Sequence, residues 1–145
     1  MPTDDEHFRR LERMYAGAAI NVYFAPAIRI AEGRAEVTIA VRPEFFHAAH
    51  AMHGSVYFKA LDDAAFFSAN SVVRDVFVLT VGFNIVLLRP VTDGTLTARG
   101  RLVHHSKNLL IADAELHDER GKLVARGTGT FMRSTIPLGP AVGYA

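Results

Sequence analysis

The sequence predicts an α+β fold in which a curved antiparallel sheet of five to six strands wraps around one long central helix. A stretch free of Gly and Pro follows Gly54 and is apolar on more than one helical face, which predicts a buried helix ending near Asn70. Segments on both sides of this helix alternate apolar and polar residues, as strands with one wet face do.

The predicted strands carry small residues at the positions expected to face inward. Glycine inside a strand is costly unless another element approaches the backbone closely. We therefore expect the central helix, which is rich in Phe, to lie directly across these positions. They are Ala98, Gly100, Ala112, Ala114, Gly127 and Gly129.

The remaining elements follow from the same patterns. Residues 4–22 have apolar side chains at helical spacing after the cap candidate Thr3, and predict an additional N-terminal helix. Residues 27–42 predict a hairpin, and residues 95–131 predict three further alternating strands. Residues 76–88 are almost continuously apolar, so this strand should be covered on both faces or lie at an interface. The tail beyond Pro137 is expected to be loosely held.

Composition narrows the class of protein. The 145 residues are half hydrophobic, which predicts one globular domain over residues 1–145 with its core at about 22–134. The net charge of +1 with interspersed signs argues against a nucleic-acid partner. The absence of cysteine excludes disulfides and Cys-ligated metals. The charged N-terminus and the lack of a long apolar run predict a cytoplasmic protein without a membrane partner.

The central helix carries its polar residues in a restricted pattern. Ser55, Lys59 and Asp62 are three to four residues apart and should share one edge, while Asp63 points about 100° away from Asp62. An Asp-Asp pair taken alone is more often a solvated helix edge than a functional site. The surrounding Phe and Ala residues make such exposure less expected here.

The order of these motifs resembles the hotdog-fold acyl-CoA thioesterases of the phenylacetate-pathway type. The motifs are His53-Gly54-Ser55, an Asp nine residues after the His, an apolar strand ending LLRP-(x3)-G, and a last strand LVARGTGTF. The resemblance covers roughly residues 22–133. It implies hydrolysis of acyl-CoA thioesters to free acid and CoA, with no metal and no cofactor beyond the CoA of the substrate.

The resemblance also implies roles for particular residues. The backbone N–H of Gly54, presented after His53, would polarise the thioester carbonyl at the N-terminus of the helix. Asp62 would act as general base or nucleophile from the other subunit of a homodimer, in an assembly expected to be a dimer of dimers. Thr80 would orient the attacking water. Substrate contacts would come from Ser55, Phe58, Arg89 and Lys107.

Two positions depart from the usual pattern of these enzymes. His47 stands where many relatives have an Asn, and an imidazole can donate one hydrogen bond as an amide does. Ser55 replaces the second glycine of the motif, and its side chain would cap the helix or narrow the entrance for the acyl group.

Three alternatives stay open from the sequence. The chain could be a non-catalytic acyl-CoA binding or sensing domain, which keeps the fold without the chemistry. A dehydratase-type hotdog enzyme is a second alternative, although the spacing of Asp62 speaks against it. The spacing of His47, His50 and His53 also permits a metal site, but loop histidines bonded to backbone are the more usual case.

Overall fold

The computed structural model describes residues 2–145 and contains three α-helices and six strands in that range. Two short 3₁₀ turns lie at Pro43–Phe45 and Pro140–Val142. The helices are α1 (Asp4–Ala16), α2 (Ile20–Phe24) and α3 (Gly54–Asn70). The strands are β1 (Ala27–Ala31), β2 (Arg34–Ala40), β3 (Val76–Leu87), β4 (Thr95–His105), β5 (Leu110–His117) and β6 (Leu123–Pro137).

All six strands form one antiparallel sheet in the order β1-β2-β4-β5-β6-β3. Helix α3 contacts every one of these strands, so the sheet wraps around it. The core lies between α3 and the inward-facing side chains of the sheet. This architecture confirms the predicted α+β hotdog fold with a long central helix and an additional N-terminal helix.

Helix α3 is buried because it is apolar on nearly all sides, as predicted. Eleven of its 17 residues are buried, including Leu61, Ala64 and Ala65 at 0% exposure. A Cβ atom on Gly100 would lie 2.2 Å from the backbone oxygen of Ala64, so this strand position must be glycine. The prediction that the helix lies across the inward glycines is therefore confirmed at this position.

The same expectation is wrong for Gly127 and Gly129 of β6. A Cβ on Gly127 would lie 2.5 Å from Phe83 Cε1, and one on Gly129 would lie 2.9 Å from Phe83 Cδ2. Gly127 is approached equally closely by the backbone oxygen of Asn84, and the nearest atom to a Cβ on Gly129 is Cζ of Phe131, at 2.6 Å. The close neighbours of these two glycines therefore belong to strands β3 and β6 and not to the helix.

The predicted single helix over residues 4–22 is wrong, because the chain breaks after Ala16 and resumes in α2. The side-chain amide of Asn21 donates to the backbone oxygen of Tyr15 at 2.7 Å. A continuing helix would use that oxygen for a backbone bond, so the side chain competes with the helix. The start of α1 is as predicted, with the Glu6 N–H bonded to Thr3 Oγ1 at 3.2 Å.

The expectation of a loosely held tail is also wrong. Tyr144 is 4% exposed, and its hydroxyl lies 2.7 Å from Nδ1 of the fully buried His7. His7 Nε2 lies 3.1 Å from the backbone oxygen of Asn70 at the end of α3. The tail is therefore packed against α1 and the central helix. None of the helices within residues 2–145 is both long and apolar enough to cross a bilayer.

Candidate active site

Two cavities lie along α3, one at its first turn and one beside its middle. The donor cavity, about 310 Å³, is lined by His47, Gly54, Tyr57 and residues 87–90. The carboxylate cavity, about 580 Å³, is lined by Asp62, Asp63, Lys59 and Thr80 together with aromatic side chains and parts of α1 and α2. The structure therefore divides the predicted site residues between two places.

The first turn of α3 in the donor cavity is capped by His53. Its Nδ1 accepts the backbone N–H of Ser55 at 3.0 Å and lies 2.9 Å from the Ser55 hydroxyl. The expectation that Ser55 would cap the helix is therefore wrong, because the preceding imidazole already occupies that position. The Gly54 N–H, at the first helical position, has no acceptor among residues 2–145. It points outward at the positive end of the helix dipole.

His47 lies in the same cavity as Gly54, with its ring orientation fixed by a local hydrogen bond. The backbone N–H of Ala49 donates to His47 Nδ1 at 3.0 Å. A neutral imidazole that accepts at Nδ1 carries its proton on Nε2 and can donate there. Arg89 lines the cavity as well, and its backbone oxygen accepts the Tyr57 hydroxyl at 2.8 Å. The cavity thus contains two candidate donors, Gly54 and His47.

Asp62 is a half-buried carboxylate on the wall of the carboxylate cavity. The Thr80 hydroxyl donates to its Oδ1 at 3.0 Å. Burial raises the pKa of Asp62 to about 6, helped by the negative charge of Asp63 and opposed by the Thr80 hydrogen bond and by Lys59. A carboxylate that titrates near neutral pH is suited to accept a proton from water.

Asp63 faces the same cavity but is enclosed by partners. Its Oδ2 accepts the Tyr15 hydroxyl at 2.5 Å and forms an ion pair with Lys59 Nζ at 2.7 Å. Burial raises the pKa of Asp63, and both partners oppose that rise. Lys59 lines the same cavity as Asp62, with which it shares a helix edge, but its ammonium reaches one turn forward to pair with Asp63. Both i,i+3 and i,i+4 neighbours lie within reach of a lysine.

Phe58 and Lys107, which were also predicted to belong to the site, take no part in the hydrogen bonds and the ion pair of the Asp62 and Asp63 carboxylates. Phe58 is 39% exposed and packs edge-on against Phe83, on the α3 face between Gly54 and Asp62. Lys107 lies in the exposed turn between β4 and β5 and lines neither cavity. Within residues 2–145, no three His, Asp or Glu side chains are grouped to hold a metal ion.

The structure adds cavity walls that the sequence did not point to. The turn between α1 and α2 contributes Gly17 and Ala18, helix α2 contributes Asn21, and the C-terminal turn contributes Val142 and Gly143. These segments are all remote in sequence from α3. In the sequence, the glycines Gly17 and Gly143 point to turns in these segments. A glycine indicates a turn but does not indicate which cavity the turn faces.

The donor and carboxylate cavities are separated along the helix. Gly54 and Asp62 are roughly two turns apart, about 12 Å along the axis. A carbonyl oxygen bound to the Gly54 N–H must lie within about 3 Å of it, and a base must lie within a similar distance of the attacking water. One protomer therefore cannot supply both groups to one substrate carbonyl.

The comparisons with known proteins agree with this fold and motif. The sequence matches the thioesterase superfamily over residues 49–125. A protein of Saccharolobus solfataricus named as a candidate esterase is 24% identical over 127 residues, which cover 88% of this chain and 87% of the relative. These matches come from sequence and do not depend on the cavities described above.

Solved structures give the same result. The E. coli PaaI protein from the phenylacetic acid degradation operon superposes with a TM-score of 0.84 at 25% identity, covering 94% of this chain and 99% of that protein. A candidate thioesterase of Ralstonia eutropha, related to phenylacetic acid degradation, gives 0.77 at 27% identity and covers 87% and 98%. Because the family match spans more than half of the chain, the protein belongs to the thioesterase superfamily, whose named members support hydrolysis of a thioester or ester.

Proposed function

We propose that the protein hydrolyses acyl-CoA thioesters to free acid and CoA, with Asp62 as the base and the Gly54 N–H as the carbonyl donor. The observation that carries the proposal is the environment of the Asp62 carboxylate. One oxygen is fixed by Thr80, the pKa is raised to about 6, and no salt-bridge partner within residues 2–145 neutralises its charge. Such a carboxylate is oriented and basic enough to activate water.

The reaction follows from the two cavities. The Gly54 N–H and the positive end of α3 stabilise the negative charge that develops on the thioester oxygen, and His47 Nε2–H can add a second hydrogen bond. Asp62 removes a proton from water while the water oxygen attacks the carbonyl carbon. The C–S bond then breaks, and the leaving CoA thiolate takes up the proton from Asp62, which regenerates the carboxylate. In a variant of this scheme the Asp62 carboxylate attacks the carbonyl carbon directly and releases the CoA thiolate, and water then hydrolyses the resulting mixed anhydride.

The other histidine of the motif has a positioning role in this scheme. His53 Nδ1 accepts the Ser55 N–H and so fixes the first turn of α3. This leaves the preceding Gly54 N–H pointing toward the carbonyl. The proposed reaction consumes only water and substrate, so it requires neither a metal nor a redox cofactor.

A homodimer would bring the two cavities together. The unpaired edge of β3 exposes Leu79, Val81, Val86, Leu87 and, just after the strand, Leu88. These side chains are spaced symmetrically about Phe83-Asn84, so the edge is self-complementary under a two-fold axis. Antiparallel pairing about that centre would place Thr80 of one copy opposite Leu87 of the other.

This pairing joins the complementary halves of the site. Leu87 lies against Gly54, since a Cβ there would be 3.2 Å from Leu87 Cδ1, and Thr80 is bonded to Asp62. The donor cavity of one subunit would therefore meet the carboxylate cavity of its partner. Exposed apolar residues elsewhere on the sheet, Val103, Met132 and Ile136, favour further association into a dimer of dimers.

The CoA portion would extend from the donor cavity toward solvent. Arg89 lines that cavity and is exposed, so it is placed to meet a phosphate. Ser55 and Phe58 lie on the exposed face of α3 between the two cavities, where the thioester and its first methylenes would pass. Lys107 lies in the turn between β4 and β5 and would contribute from outside the cavity.

The direct test measures thiol release from a panel of acyl-CoAs by the wild-type protein and two Gly54 variants. Proline is tolerated at the first helical position, and His53, with φ −65° and ψ 144°, has the backbone that precedes proline. Gly54→Pro removes the N–H and should lower kcat about 10²–10³-fold. Gly54→Ala keeps the N–H and meets Leu87 in the same way, so it should retain activity. Equal rates for both variants would contradict the proposed donor.

The two-subunit site is tested by mixing two inactive variants. Co-expressed Asp62→Asn and Gly54→Pro chains form mixed dimers in which one site has both intact groups. Random pairing should restore about one quarter of the wild-type rate. Activity that stays at the level of the single variants, in dimers shown to be mixed, would place both groups of a site on one chain.

A non-catalytic binding domain is the second candidate. It is favoured by the two departures from the usual motif, His47 and Ser55. Tight binding of acyl-CoA by the wild-type protein with no thiol release across the panel would select this function. Calorimetry with free CoA at increasing salt concentration should show a falling affinity for CoA, because salt screens the contacts between its phosphates and basic side chains.

A further inference from the structure

The carboxylate cavity is closed on one side by two segments that lie outside the sheet and central helix. Helix α3 and strand β3 form the side that carries Asp62 and Thr80. The opposite side consists of the turn between α1 and α2, including Gly17 and Ala18, and of the C-terminal turn. An acyl group that enters past Asp62 therefore meets side chains of these two turns.

Both turns are hydrogen-bonded to neighbouring parts of the fold. His7 of α1 joins the C-terminal segment to the end of α3, because its ring nitrogens lie 2.7 Å from the Tyr144 hydroxyl and 3.1 Å from the Asn70 oxygen. Asn21 fixes the first turn through its 2.7 Å bond to the Tyr15 oxygen. Gly143, at φ +85°, lies in ordinary packing distance of α1, since a Cβ there would be 3.5 Å from Met14 Cα.

The cavity lining is mostly apolar, with three charged residues and the polar side chains of Tyr15, Asn21 and Thr80. Its charged side chains are Asp62, Asp63 and Lys59, and the Lys59 ammonium is already paired with Asp63 at 2.7 Å. A second carboxylate on the acyl group would find no free cation in the cavity and would face Asp62. The remaining lining is dominated by aromatic and aliphatic side chains, namely Met14, Phe66, Phe67, Phe77, Leu79 and Val142.

We infer that this cavity takes an uncharged, apolar acyl group whose length is limited by Ala18 and Ala141, one from each turn. The inference rests on the proposed function and specifies its substrate. Alanine leaves the space in front of each turn free, whereas a longer side chain would occupy the room of several methylenes. Ala18 and Ala141 are therefore specificity-determining residues that lie outside the sheet and the central helix.

The chain offers a matched control at the neighbouring position. Ala18 lines the cavity, whereas Ala19 is exposed and lies outside it. The experiment compares Ala18→Leu and Ala19→Leu with wild type on saturated acyl-CoAs from two to twelve carbons. One lost methylene in an apolar pocket changes kcat/KM roughly 10–200-fold. Ala18→Leu should lose at least tenfold on the longest substrates of wild type while retaining the shortest, and Ala19→Leu should keep the wild-type profile.

A second readout does not depend on turnover. Calorimetry with S-alkyl-CoA thioethers, which cannot be hydrolysed, should show affinity rising with alkyl length up to a limit. That limit should fall by several carbons in Ala18→Leu and stay unchanged in Ala19→Leu. If Ala18→Leu does not fold, Ala141→Leu on the opposite turn carries the same test. Glutaryl-CoA should be a poorer substrate than pentanoyl-CoA, which has the same number of acyl carbons.

The outcomes separate the inference from the proposed function. Turnover with the same length profile in all variants would overturn the inference and leave the function intact. If no protein shows turnover but the alkyl length limit for binding falls in Ala18→Leu, the proposed function is overturned and the inference is supported. If neither turnover nor length-dependent binding occurs, both are overturned. A preference for glutaryl-CoA over pentanoyl-CoA would overturn the assignment to an uncharged acyl group.

Discussion

Asp62 and Asp63 are neighbours in the sequence and face the same cavity, yet their surroundings differ. Asp63 is enclosed by the Tyr15 hydroxyl and the Lys59 ammonium, both on the same oxygen. Asp62 has a single hydrogen bond, from Thr80, and no cation of its own. Both carboxylates are partly buried, so burial alone does not separate them. What separates them is whether the protein already matches the charge, and this is why we propose Asp62, and not Asp63, as the base.

The largest effect should come from removing the unmatched charge. Asp62→Asn keeps the shape of the side chain and can still accept from Thr80, but it cannot take a proton from water. General-base catalysis contributes about 10²–10⁴-fold, so kcat should fall by that amount. Binding of CoA should be unchanged, because the thioester and phosphates are held elsewhere. Turnover by Asp62→Asn at the wild-type rate would contradict the assignment of the base.

The next effect concerns the donor cavity. His47→Ala removes the Nε2–H donor and should lower kcat, by up to the 10²–10³-fold typical of one oxyanion donor. His47→Asn keeps a donor at a similar position and should retain much of the activity. The comparison is made on the best substrate of the panel at saturating concentration. Equal rates for wild type and His47→Ala would remove His47 from the site.

The sheet and central helix were predictable because their signals are local. Alternation with period two is preserved in β1, β2, β4 and β5, and α3 is apolar on nearly all faces. The packed tail was not predictable, because its cause is a contact between distant residues, and the N-terminal break depends on a side-chain bond from Asn21 to Tyr15 that helical spacing does not record. His7 and Tyr144 stand at opposite ends of the chain, and no periodicity records that they are bonded.

The site was predictable to a different extent. The spacing of His53 and Asp62 and the position of Thr80 came from the resemblance, and the structure places Asp62 and Thr80 in contact. The ion pair of Lys59 with Asp63 could not be predicted, because spacing alone allows Lys59 to reach either carboxylate. The choice is made by Tyr15 and Phe24, whose rings lie 5.2 and 5.4 Å from the ammonium and draw it toward Asp63.

A smaller effect should appear in the pH dependence of turnover. The base form of Asp62 is required, so kcat/KM should rise with pH and level off above about pH 6, where this carboxyl titrates. The Thr80 hydrogen bond lowers the pKa of Asp62. Thr80→Val removes that bond and should move the acid limb to higher pH, whereas Thr80→Ser keeps a hydroxyl and should not. An acid limb that is the same in all three proteins would show that another group controls it.

The smallest effect on turnover should come from Asp63. Its charge helps to raise the pKa of Asp62, so Asp63→Asn should move the acid limb to lower pH and change the rate at pH 8 little. Stability should respond more, because Lys59 loses its ion pair in a mostly buried position. Hydrogen bonds to charged groups are worth about 1.5–3 kcal/mol, and we expect a loss of that order in the free energy of unfolding.

The structural role of Asp63 is separated from a catalytic one by removing both partners of the ion pair. Combining Asp63→Asn with Lys59→Met takes away the unpaired cation and should recover part of the lost stability, as replacement of buried ion pairs often does. Denaturant unfolding measures the stability, and thiol release at pH 8 measures the rate. Asp63→Asn could instead abolish turnover, as Asp62→Asn is expected to, without recovery in the double variant. That result would show that the two carboxylates act together in the reaction and would contradict a purely structural role for Asp63.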